Sequence, residues 1–187
     1  WPKPEVVWKA WEQAARGNGV AVGRGAYREA LTAGNLVHQL RQEVAALLGV
    51  SPERICLPVS ATFGLNQAIH GVVTAGTHVI ATAADHNATL RPLHYLTKKG
   101  CIHLTVVSCD GRGWVDPDDI VRAWRPNTSL VTLSHSSNVT GVTQEVESII
   151  KVAQEREALS LLDASQSLGH VAFSQYESMA DIVVSPG

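Results

Sequence analysis

Clustered basic charge is absent from the 187 residues: lysine and arginine are scattered, and 15 of them against 17 acidic residues leave a formal net charge of -2. That removes the electrostatic footprint of a nucleic-acid binder or of a protein held on an anionic membrane surface. No apolar run approaches the ~20 residues of a membrane-spanning helix, so neither nucleic acid nor membrane is an expected partner. A secretory leader, with its apolar core and small-residue cleavage site, is also lacking. Only three cysteines occur, Cys56, Cys101 and Cys109, and none forms a Cys-x-x-Cys pair. In extended chain Cys101 and Cys109 stand roughly 26 Å apart at ~3.3 Å per residue, whereas a disulfide needs Cα atoms within about 7 Å. Free thiols and a reducing, cytoplasmic location are expected. No repeat, low-complexity tract or interdomain linker interrupts the chain. It opens at Trp1 without an initiator methionine and stops at Gly187 just after the strand-like DIVVS, so it reads as a fragment.

What is present suffices for a core. With 45% hydrophobic and 17% charged residues, the chain has the length of one domain or most of one. Val7, Trp8, Trp11 and Ala15 recur at helical spacing within Glu5 to Ala15, and the glycine-rich GNGVAVGRG follows. Leu36, Val37, Leu40, Val44, Leu47 and Leu48 then mark one face of a longer helix that stops at Gly49. Beyond it come short β-rich runs at 55–59, 78–83, 102–107, 129–134, 159–162 and 181–184, separated by helical segments or loops. Strands alternating with helices predict an α/β fold, a mostly parallel sheet covered by helices on both faces. The expected division is an N-terminal helix with its glycine-rich loop over 1–25 and a partial large domain over 26–187.

Open parallel sheets bind ligands outside the carboxyl ends of their strands, and the residues following these runs are polar: SATFGLN, ADHNATLRP, HSSNVTG and DASQ. They offer Ser60, Thr62, Asp85, His86, His135, Asn138, Asp163 and Gln166. Each has a plain structural reading. Ser-Ala-Thr alone is a helix cap, Asn138 alone a turn residue, and His86 alone a polar neighbour of Asp85. Their convergence on one edge of one sheet favours a ligand instead. A helix N-terminus bearing small hydroxyl residues suits a phosphate. An aspartate at the mouth of a buried strand has lost much of its hydration and calls for a cationic partner. Asp163, within LLDASQ, ends the apolar strand run with no nearby lysine or arginine in sequence. The small residues after it leave room for a flat ring, and a protonated pyridine nitrogen would be such a partner.

Three rivals stand beside this reading. GNGVAVG carries the glycines of a dinucleotide fingerprint but follows a helix instead of a strand. Asp85, His86, His135 and Asp163 could hold zinc in a metal-dependent hydrolase, although no His-x-x-x-His helix supports it. A non-catalytic fragment that only packs against a partner is the third.

The motifs GRGAYREAL, VSATFGLNQAI, ADHNATLRPL, LSHSSNVTGV, LLDASQSLGH and VVSPG, in this order, resemble the cysteine desulfurase-like branch of the class V aminotransferases. The resemblance implies the large domain of a fold-type I pyridoxal 5'-phosphate enzyme. It implies that Ala61 and Thr62 hold the cofactor phosphate, that His86 stacks on the pyridine ring and that Asn138 lies near the substrate carboxylate and ring hydroxyl. By the same resemblance Asp163 pairs with the ring nitrogen and Gln166 bonds the ring hydroxyl, with His86 and Asp163 catalytic and no metal required. It further implies removal of sulfur from L-cysteine, a homodimer in the complete enzyme, and possible delivery to a sulfur-acceptor protein; transamination or another lyase reaction is the alternative. The family continues past this point to the lysine that attaches the cofactor and to a nucleophilic cysteine, so neither is expected within 1–187. Pro186 stands where the family usually has a hydroxyl residue, so one phosphate contact is either absent or supplied by Ser185.

Overall fold

The computed structural model describes residues 2–17, 19–171 and 179–186; the Gly187 of the VVSPG motif lies outside them. The chain divides into two compact units, 1–57 and 58–187. In the first, helix α1 spans Glu5–Gly17 and α2 spans Arg28–Leu48, followed by a 3-10 turn at Pro52–Arg54. Helix α2 ends where expected: Gly49 takes the left-handed conformation (φ 66°), and its N–H donates to the carbonyls of Ala45 and Ala46. The side that α2 buries is Ala30, Ala33 and Ala45, while Leu36, Leu40 and Leu47 stay about half exposed. Periodicity identified the helix but not its covered side, because two helices and a turn enclose too little volume to bury a leucine stripe.

The second unit is built on five parallel strands in the order β2-β1-β3-β4-β5. They are β1 (His78–Thr82), β2 (His103–Val107), β3 (Thr128–Ser134), β4 (Leu159–Asp163) and β5 (Ile182–Val184). Helices α3 (Ala61–Val72), α4 (Asn87–Lys98), α5 (Pro117–Ala123) and α6 (Glu147–Glu155) complete it. One face of the sheet packs Val79, Ala81, Leu130 and Leu161 against Leu65 and Ile69 of α3 and Leu93 of α4. The other packs Ile80, Val131, Leu133 and Leu162 against Ile120 of α5 and Ile149 and Ile150 of α6. Burial on both faces is why β1, β3 and β4 read as apolar runs, while β2 at the sheet edge is only partly covered.

One expected strand is not there. Residues 55–59 are irregular and pair with no described strand, and Val59 is 90% exposed. Pro58 has no N–H to give a ladder, and an apolar run outside the sheet has no neighbour to complete its hydrogen bonds. The segment leads instead into α3, whose N-cap Ser60 accepts a hydrogen bond from Phe63 N (3.1 Å). All three cysteines are free thiols, and no helix among the described residues is long and apolar enough to cross a membrane.

Candidate functional site

The strand order reverses between β1 and β3: the chain goes from β1 outward to β2 on one side, then returns to place β3 on the other. Such switch points leave a crevice at the carboxyl ends of the two strands, because the connections diverge to opposite faces. A cleft of about 120 Å³ lies there. It is lined by Ala61, Thr62 and Leu65 of α3, His86 and Ala88 at the start of α4, and Ser134, Ser136 and Asn138 at and after the end of β3. Asp163, Ser165 and Gln166 at the end of β4 close it. All six expected site residues, Ala61, Thr62, His86, Asn138, Asp163 and Gln166, therefore meet in one place. A larger groove of about 450 Å³ between α3 and α4 shares Thr62, His86 and Ala88 with it, and adds Asn66, His70, Asn87, Arg91, Pro92 and Tyr95.

Each wall has a local cause. At α3, Ser60 satisfies only the Phe63 N–H, so the N–H groups of Ala61 and Thr62 find no acceptor among the described residues. They are available to an anion, and the helix dipole adds to their attraction. His86 is the N-cap of α4: its Nδ1 accepts from Ala88 N at 3.1 Å, which places the proton of the neutral ring on Nε2. Asn138 opens the turn after β3, held by Ser137 Oγ, which accepts from the N–H groups of Val139 and Thr140. Asp163 is buried at the last position of β4. Its Oδ1 accepts from Ser165 N at 3.0 Å, its Oδ2 has no hydrogen-bond partner among the described residues, and none of them forms an ion pair with it. A buried carboxylate with one free oxygen facing a cleft is a ready acceptor for a cationic N–H.

Two strand-end candidates turn away from the cleft. His135 is buried, with Nδ1 2.9 Å from Ser167 Oγ. Asp85 is buried too, and its carboxylate accepts four hydrogen bonds from the ends of β1 and β3. Among the described residues no three His, Cys, Asp or Glu side chains gather as a metal site, so the four-residue zinc cluster does not form. Ser185 donates to the carbonyl of Pro186 (3.1 Å) and does not line the cleft.

Five lining residues escaped the sequence reading: Leu65, Ala88, Ser134, Ser136 and Ser165. A signal existed for three of them. Side chains of a strand alternate, and the alternation persists past β3 through Ser134, Ser136 and Asn138, while His135 points to the opposite side. Asp163 and Ser165 share a side for the same reason.

The fold and the site together define a doubly wound α/β protein with a polar cleft at its switch point. The model of the class-V aminotransferase family matches residues 2–187, and the chain belongs to that family. It is 32% identical to the cysteine desulfurase IscS of Dictyoglomus turgidum over 160 residues, covering 83% of this chain and 40% of that one. To a probable cysteine desulfurase of Methanothermobacter thermautotrophicus it is 31% identical over all 187 residues, 46% of the relative. The solved structure described as SspA in complex with cysteine superposes over the whole chain with a TM-score of 0.91 at 26% identity, the match covering 54% of that protein. The chain thus spans about half the length of the proteins it matches, or somewhat less.

Proposed function

We propose that the chain is the cofactor-binding part of a pyridoxal 5'-phosphate-dependent cysteine desulfurase acting on L-cysteine. The observation that carries this reading is the cleft itself, with the Ala61 and Thr62 N–H groups of the α3 N-terminus on one wall and an Asp163 carboxylate oxygen on another, neither with a partner among the described residues. This donor set fits the cofactor, which has a phosphate for the first and a protonated ring nitrogen for the second. The names of the relatives and the cysteine complex of the structural neighbour support the substrate.

In this reading the Ala61 and Thr62 N–H groups bind the phosphate, and Asp163 Oδ2 takes the ring N–H. The cofactor, when bound, supplies an electron sink for chemistry at the α-carbon of an amino acid. Asp163 keeps that sink effective by holding a proton on the ring nitrogen through a charge-assisted bond to a buried carboxylate. His86 lies against the ring and offers Nε2–H at the edge of the cleft. Asn138 and Gln166 orient the ring hydroxyl and the substrate carboxylate. A homodimer, a sulfur-acceptor protein and a cytoplasmic location belong to the same reading. The family name favours one second reading, amino-group transfer.

Titrating pyridoxal 5'-phosphate into the 187-residue chain and following its visible absorbance tests the site. Saturable binding that weakens at least tenfold in Asp163→Asn is expected. No saturable binding, or identical binding by the variant, would overturn it. In a chain extended to the length of the relatives, sulfide release from L-cysteine against amino transfer to a 2-oxo acid separates the two activities. There Asp163→Asn lowers the rate by several orders of magnitude, at ~1.4 kcal/mol of lost transition-state stabilisation per decade.

A further inference from the structure

Asp85 stands immediately before His86 yet takes no part in lining the cleft. Its carboxylate instead spans the switch point. Oδ2 accepts from Thr82 N (3.1 Å) and from Thr132 Oγ1 (2.7 Å), while Oδ1 accepts from Thr82 Oγ1 (3.0 Å) and from Ser134 N (2.7 Å). Two donors thus come from the last residue of β1 and two from the end of β3. These strand ends pair with each other only through Val131: the β1–β3 register covers His78, Val79 and Ile80 of β1, and Ala81 and Thr82 have no partner on β3. Where the two strands part to open the crevice, the Asp85 carboxylate bridges them. One residue beyond Asp85 lies His86, and beyond Ser134 lie Ser136 and Asn138, so two of the four segments that line the cleft follow directly from this bridge.

We propose that Asp85 is a positioning residue, its carboxylate setting the distance between His86 and the Ser134–Asn138 segment and so the width of the cleft. The inference rests on the cofactor-site reading for its consequence, but not for its geometry. Both oxygens are fully used as acceptors, and neither is available to a ligand. A charge buried without a cationic partner is unfavourable for the fold, and its retention at a switch point, between two site-bearing segments, marks a positional role. Burial pushes the Asp85 carboxyl up to about 6, against the hydrogen bonds from Thr82, Thr132 and Ser134 that pull it down. The titratable side chains on adjoining elements are His86 on the α4 side, His135 after β3 and Asp163 at the end of β4, and none is bonded to Asp85. When Asp85 takes up a proton, one oxygen becomes a donor. A threonine hydroxyl can turn to accept from it, whereas the two backbone N–H groups cannot. The bridge then loosens below about pH 6.

The test combines amide NMR and pyridoxal 5'-phosphate titration between pH 5 and 8 on the 187-residue chain, Asp85→Asn and Thr132→Val. In the wild-type chain the Thr82 and Ser134 amides should titrate with one midpoint near 6, and those of His86 and Asn138 should move with them. Asp85→Asn should abolish that titration and weaken cofactor binding about tenfold at pH 7.5, the order expected when charge-assisted bonds become neutral ones. Cofactor binding has its own pH dependence, so the comparison is between variant and wild type at each pH. Thr132→Val removes one donor only; it should raise the midpoint and weaken binding less, and it keeps the question answerable if Asp85→Asn fails to fold. His86 and Asn138 amides that stay still while Thr82 and Ser134 titrate would overturn the proposal, as would wild-type affinity in Asp85→Asn. If the wild-type chain binds no cofactor, the functional reading fails and the four amides alone decide the role of Asp85.

Discussion

The two ends of the parallel sheet are both polar and both buried, yet they are built differently. At the amino end His78 begins β1, fully buried, with Nδ1 2.7 Å from Thr128 Oγ1 and Nε2 2.8 Å from Thr105 Oγ1. Those two hydroxyls also accept from Arg125, one from its backbone N–H and one from its guanidinium. Every polar atom of the ring has its partner within the fold. At the carboxyl end Asp163 lines the cleft with one oxygen bonded, and neither its other oxygen nor the Ala61 and Thr62 N–H groups have a partner among the described residues. A closed polar cluster holds strands together; an open one is incomplete until something enters it. Between these two clusters polarity and burial alone make no distinction, but the count of satisfied atoms does.

The comparison breaks if the two ends respond alike to substitution, and the largest expected effect is on stability at the closed end. His78→Ala leaves a void and two hydroxyls without their ring partner, and should lower the unfolding free energy by on the order of 3 kcal/mol. Cofactor affinity should change little. Asp163→Asn should do the reverse, because an amide oxygen can still accept from Ser165 N: stability moves by less than about 1 kcal/mol while affinity collapses. Urea denaturation with pyridoxal 5'-phosphate titration of both variants reads the crossing, and parallel losses in both would remove the distinction.

Acidity sharpens it next, because one titrating group begins β1 and another lies in the turn just past its end. His78 is held down to about 4, by burial first and then by Arg125 and His103. Below its ordinary 6.5 the unfolded chain therefore holds more protons than the folded one, and His78 makes stability rise with pH from about 4 to 6.5. Asp85, raised from 3.8 to about 6, has the opposite sign: the folded chain holds the extra proton, so stability falls as pH rises through that window. The slopes oppose each other between about 4 and 6. Subtracting the stability profile of Asp85→Asn from that of the wild type should leave a difference that falls with rising pH, and the same subtraction for His78→Ala should leave one that rises. Two differences of the same sign would contradict both assignments.

How much of this was legible in the sequence depends on what each residue faces. The central strands β1, β3 and β4 stood out because burial on both sides makes a strand an apolar run, and the half-covered edge strand β2 stood out by its β-branched residues alone. Residues 55–59 have the same composition, and only Pro58 and their exposure set them apart. The gathering of Ala61, Thr62, His86, Asn138, Asp163 and Gln166 was legible because strand ends in a parallel sheet share one edge. Asp85 and His135 occupy the same edge and look equivalent in sequence, yet one points back between β1 and β3 and the other to Ser167. Direction at a strand end depends on alternation and on which donors lie nearby, and the nearest donors to Asp85 include two on β3 that are 47 and 49 residues away in sequence. The leucine stripe of α2 shows the same limit: spacing marks a face, and only neighbours decide whether it is covered.

The smallest expected effect concerns His86, where structural and functional demands fall on one ring. Its Nδ1 caps α4 through Ala88 N, and its ring lines the cleft. These roles can be separated by choice of substitution. Asparagine is among the best N-caps but presents no ring, so His86→Asn should keep the stability of the chain while losing the stacking contact, worth about 1 kcal/mol or roughly fivefold in cofactor affinity. Phenylalanine keeps an aromatic face and loses the cap, so His86→Phe should lower stability by about 1 kcal/mol and hold affinity near the wild-type value. The pair places His86 between the two ends of the sheet, satisfied at one nitrogen like His78 and open at the other like Asp163. Should His86→Asn bind pyridoxal 5'-phosphate as tightly as the wild type, the ring contributes nothing to the site, and His86 belongs with the closed, structural groups despite its position at the open end.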